Sequence, residues 1–110
     1  MPHKAIVELV EEFNKKVSEA YQILPVNAVP WRVFRERLCE IIAQIPAEWG
    51  VRARAACQEL QPTIEDIIAV LREDIDEHAM EPDRILLLHT LIRSAILIRS
   101  CELIQRTHNQ

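Results

Sequence analysis

Glycine is almost missing from this chain: of 110 residues only Gly50 is one. Folds built on tight hairpin turns draw on glycine for positive φ, so its shortage argues against them. No segment alternates polar and apolar residues in the manner of a half-buried strand. The three cysteines, Cys39, Cys57 and Cys101, form no close pair and no C-x-x-C, which leaves neither a disulfide framework nor a thiolate metal motif to read. They are expected to be small core residues of a cytoplasmic protein. No basic and apolar leader opens the chain, so no secretory signal is read. The longest apolar stretch, 83–106, is interrupted by His89, Arg93 and Arg99, which excludes a membrane span. Nucleophile elbow, phosphate loop, paired catalytic acids and Glu-x-x-His are also missing, so neither an enzyme nor a cofactor is expected.

What the chain does have is an ordinary globular composition, 49% hydrophobic and 27% charged, with a mild net charge of −4. Its length suits one domain over 1–110 with a core of its own. Six prolines punctuate it. Between them the apolar positions step by three and four, the spacing of one helix face. From 2 to 24 the seam is Ile6, Val10, Phe13, Val17, Ala20 and Leu24. After Pro30 it is Trp31, Phe34, Leu38, Ile41 and Ile45, stopped by Pro46. Residues 51–60 resume a helical pattern with Ala55, Ala56 and Leu60. Pro62 is expected to break or sharply kink the chain, with Thr63 capping the next helix and Glu65 and Asp66 in its first turn. That helix carries Ile64, Ile68, Leu71, Ile75 and His78, with Ile67 and Val70 widening the stripe.

The last helix, 83–106, differs from the others. Its apolar residues fall in three rows: Ile85, Ile92, Ile96 and Leu103; Leu86, Leu97 and Ile104; Leu87, Leu91 and Ile98. A helix apolar on most of its circumference must be surrounded on most sides. The fold expected is therefore all-α, an antiparallel four-helix bundle with a short fifth helix around 47–60 and the last helix central. Its third row is expected to be covered by a second copy.

Three constellations are candidates for function. Residues 55–83 hold nine acids and one arginine, and Glu73, Asp74 and Glu77 sit near the end of a helix, where acids oppose the macrodipole. A solvated end is the plainer reading and a docking patch for a basic partner the functional one. Asp74 and His78 share a face, but two ligands do not make a metal site. The second constellation is Trp31, Arg32 and Arg35 with Trp49 and Arg52, residue types enriched at the energetic centres of protein interfaces. Here the plainer reading is that the tryptophans belong to the core and the arginines pair with neighbouring glutamates. Nucleic acid is not expected, since the segment is only mildly basic and carries no reading motif. Third, His89, Arg93 and Ser100 lie within about 40° of each other on the last helix. They form either a structural or solvent-facing polar strip, or polar groups across a two-fold seam or at the base of a pocket.

The function expected is non-enzymatic protein–protein interaction, as an adaptor, regulator or inhibitor of a larger assembly, with the chain acting as a homodimer. The alternative is a bundle that binds a small apolar ligand between its helices.

Overall fold

The computed structural model describes residues 3–23, 31–59, 62–78 and 81–108. Every regular element among them is helical: α1 His3–Ile23, α2 Trp31–Gln44, α3 Val51–Gln58, α4 Ile64–His78 and α5 Pro82–His108. The helical spacing of the apolar residues is realised as burial. Ile6, Val10, Phe13 and Val17 of α1 are all buried, as are Trp31, Leu38 and Ile41 of α2, Ile45 just beyond it, and Ile64, Ile67, Ile68 and Leu71 of α4. Ile42 joins the α2 face, while Phe34 is only half-buried. Phe34 bridges the aromatic residues near it, with ring centroids 5.4 Å from Trp31 and 6.0 Å from Phe13. Leu24 and Leu60, two expected seam residues, lie outside the described residues.

The helix boundaries follow local chemistry. α2 gives way to a turn at 46–50, in which Trp49 N–H donates to the Pro46 carbonyl at 2.9 Å. The chain breaks at Pro62, as the sequence predicts, and Thr63 caps the helix that follows. Its Oγ1 accepts from Asp66 N–H at 3.1 Å and its carbonyl from Ile67 N–H at 3.1 Å. Glu65 and Asp66 occupy the first turn of α4, where they oppose the positive end of the helix dipole.

α5 packs on α1, α4 and α2, and most extensively on α1, so it is the helix those three share. It buries Leu87, Leu88, Leu91, Ile92, Ala95, Ile98 and Cys101 together with Thr90 and Ser94. The two buried hydroxyls are satisfied within the helix: Thr90 Oγ1 donates to the Leu86 carbonyl at 2.7 Å and Ser94 Oγ to the Thr90 carbonyl at 3.1 Å. The row expected to need a second copy, Leu87, Leu91 and Ile98, is fully covered within the chain. Leu86, Ile96 and Leu103, from the other two rows, are the ones left 47%, 39% and 44% exposed.

α3 packs against α4 and α2. It buries Ala53 and Ala56, whereas Ala55, which the sequence pattern assigns to its inner face, is exposed. The short run offers too few apolar residues to fix its rotation, and its end caps fix it instead.

Candidate functional site

The residues singled out by charge and by tryptophan lie in two different settings. The first is the end of the molecule where the 46–50 turn, α3, the end of α4 and the start of α5 meet. Gly50 stands at the N-cap of α3 and has no side chain with which to cap it. Asp74 of α4 supplies what is missing. Its carboxylate is fully buried, Oδ1 accepting from Arg52 N–H at 3.1 Å and Oδ2 from Ala53 N–H at 3.0 Å. A buried carboxylate group here is held by two first-turn amides of α3 and lies at the positive end of the helix dipole.

Two arginines complete this end. Arg54 of α3 donates from Nη1 to the carbonyls of Ala43 and Ile45, at 2.9 and 2.6 Å, and so satisfies oxygens left free where α2 stops. Arg84 of α5, itself buried, donates from Nη2 to the Trp49 carbonyl at 2.9 Å. Trp31 and Trp49 are 2% and 6% exposed, so both tryptophans belong to the core. Among the exposed arginines, Arg32 pairs with Glu36 at 3.4 Å and Arg52 with Glu73 at 3.5 Å. Arg37 pairs with Glu40 at 2.8 Å. Such exposed pairs contribute at most about 1 kcal/mol each. The side chains of Glu77 and His78 lie outside the described residues. The Trp/Arg stretch and the acidic helix end are thus joined in one place, through Arg52, Glu73 and Asp74, where they tie α3 to α4.

Arg35 points elsewhere, meeting Glu102 of α5 at 3.9 Å. Burial raises the Glu102 carboxyl above its ordinary value, a shift that Arg35 and Arg106 oppose and Glu65 reinforces.

The second setting is the outer face of α5. His89, Arg93 and Ser100 are all exposed there. Among the described residues Arg93 meets no buried carboxylate; its Nη2 donates to Thr90 Oγ1 at 3.1 Å. Ser100 Oγ donates to the Ile96 carbonyl at 2.9 Å. The three polar residues are interspersed with the three exposed apolar ones, in the order Leu86, His89, Arg93, Ile96, Ser100, Leu103. The steps are three, four, three, four, three, a heptad seam along the partly exposed side of α5, with Leu86 bordering Lys4 and Val7 of α1 at one end. The sequence shows this seam once the buried rows are known, but apolar content alone does not separate it from them.

Among the described residues no group of three or more His, Cys, Asp or Glu converges as metal ligands would, and no helix is long and apolar enough to cross a membrane. In comparison with known proteins, no family model, no curated protein and no solved structure matches this chain.

Proposed function

We propose that the chain works by associating with a second copy of itself through the outer face of α5, as a non-enzymatic protein-interaction module of the adaptor or regulator kind. In this reading α1, α2, α4 and α5 form an antiparallel four-helix bundle and α3 braces one end of it. The observation that carries the proposal is the exposure of Leu86, Ile96 and Leu103 along one heptad seam. The pairs 86/103, 89/100 and 93/96 share one midpoint, between Ser94 and Ala95. An antiparallel copy related by a two-fold axis through that point sets Leu86 against Leu103 at both ends, His89 against Ser100, and Arg93 along Ile96. Each polar group meets a polar group or an aliphatic stem, and each end is closed by leucine. Such an isologous contact uses one surface twice and closes on itself. A polar residue within the seam fixes register at a cost in affinity. Here the two Arg93 guanidinium groups lie close to the axis, so a dimer that dissociates on dilution is expected.

Charge substitution at Ile96 tests both the dimer and its register. Ile96 is 39% exposed in the single chain, so replacing it leaves the core intact. Ile96→Lys places a cation opposite Arg93 of the second copy. It is expected to weaken association by about 3 kcal/mol, more than a hundredfold, with the melting temperature at high dilution unchanged. Ile96→Glu places an anion there instead and is expected to keep or tighten the dimer. Sedimentation equilibrium of the three proteins reads this directly. A wild-type chain that stays monomeric at high concentration overturns the proposal, and equal weakening by Lys and Glu overturns the register.

The apolar-ligand reading has one observation in its favour. A groove of about 280 Å³ between α1 and α2 is lined by Leu9, Phe13, Val33 and Phe34, with Glu12, Lys16 and Arg37 at its edge. Native mass spectrometry of protein purified from its host is expected to show a retained adduct if that groove is the site, and the bare chain mass if α5 is.

A further inference from the structure

Cys39 and Cys57, on consecutive helices, come to one cavity wall in the fold. Cys39 lies on α2 and Cys57 in the last turn of α3, and the two side chains line one cavity. Both are half-buried thiols in the free state. They share the wall of a solvent-open cavity of about 200 Å³ with Arg32, Arg35, Glu36, Glu59 and Pro62. Arg35 stands one helical turn before Cys39 on the same face of α2. Both pack at the edge of the hydrophobic core, and the third thiol, Cys101, is fully buried elsewhere.

We propose that Cys39 and Cys57 form a redox-responsive dithiol, which a small peroxide entering this cavity converts to a disulfide tying α2 to α3. The two sulfurs have different parts. The Cys57 hydrogen bond and the Arg35 charge hold the Cys39 thiol below its ordinary value against the opposing effect of burial. Cys57, whose own proton is engaged by Cys39 and which is further desolvated, is pushed far up. Arg35 lines the same cavity one turn before Cys39 and favours its thiolate, which makes Cys39 the nucleophile and Cys57 the resolving thiol.

The step balances with hydrogen peroxide as the oxidant. The Cys39 thiolate attacks one peroxide oxygen, the O–O bond breaks, and the departing hydroxide takes a proton to leave as water. Cys39 is now a sulfenic acid. The Cys57 sulfur attacks the Cys39 sulfur, the S–O bond breaks, and the second oxygen leaves as water with the Cys57 proton. Two thiols give up two electrons and two protons in all, and one peroxide becomes two waters. Cys101 is the internal reference, because burial pushes its thiol up to about 11 and no partner sulfur faces it.

The test uses the full chain, freed of reductant and treated with one equivalent of hydrogen peroxide in native buffer. Trypsin cleaves at Arg37, Arg52, Arg54 and Arg72, so Cys39 falls in peptide 38–52 and Cys57 in peptide 55–72. The expected result is an intact mass lower by two hydrogens, one linked pair of these peptides, reversal by dithiothreitol, and Cys101 recovered reduced. In Cys57→Ser the reaction is expected to stop at a sulfenic acid on Cys39, trapped by dimedone. In Cys39→Ser oxidation is expected to slow by about tenfold or more. Oxygen addition at Cys39 of the wild-type chain without linkage overturns the proposal. So does linkage through Cys101, or oxidation of Cys39→Ser at the wild-type rate.

Discussion

Asp74→Ala is expected to lower the unfolding free energy by about 4 kcal/mol, because it strips one buried and one part-buried amide of their acceptor and leaves the first turn of α3 uncapped. Asp74→Asn keeps the shape but offers one oxygen where the carboxylate offers two. Its amide NH2 must face either Arg52 N–H or Ala53 N–H, donor against donor, and a loss of about 2 kcal/mol is expected. The neighbouring Glu73 is the control. Its bond to Arg52 is 3.5 Å long with both side chains about half exposed, so Glu73→Gln is expected to stay within about 0.5 kcal/mol of the wild type. Urea unfolding followed by far-ultraviolet circular dichroism distinguishes these outcomes. Equal effects at 73 and 74 would mean that the acidic helix end acts through its general charge rather than through the cap.

The second large effect is expected at the one glycine. A Cβ on Gly50 would run into Cδ1 of Ile45, which is itself buried, and would come within 3.9 Å of Asp74 Oδ2. The backbone at Gly50 has φ of −139°, which any residue can adopt, so the constraint is space and not conformation. Gly50→Ala is therefore expected to cost about 2 kcal/mol by overpacking. Ile45→Val removes the very atom in the way and alone costs about 1 kcal/mol. Combined, the two changes are expected to fall short of their sum by about 1 kcal/mol. Strict additivity in a double-mutant cycle would sink the steric account.

The sequence makes the long seams readable, since α1, α2 and α4 each present a regular row of large apolar residues, and burial is the dominant force placing them. The break at Pro62 and the Thr63 cap are readable for the same kind of local reason. α3 is not, because an alanine-rich run has no strong face, and Ala55 and Ala53 differ only in what lies across from them. The role of Asp74 is equally hidden, although it leaves a trace: a helix opening on glycine with no acid in its first turn needs a cap from another part of the chain. The candidate α5 seam was half visible. His89, Arg93 and Ser100 mark its polar positions, but which leucines and isoleucines flank them depends on where α1, α2 and α4 sit. Contact between Cys39 and Cys57 depends on how α2 and α3 cross, which no spacing within the chain encodes.

The capping of α3 has a consequence for the order in which the molecule assembles. An eight-residue helix is far too short to persist alone in water. Its N-terminal amides are held by a residue of α4, and its own Arg54 is engaged with the end of α2. α3 can become helical only once both of those helices are in place. It is expected to set after them and to be lost before them, which hydrogen exchange at its backbone amides would read as the weakest protection among the five helices.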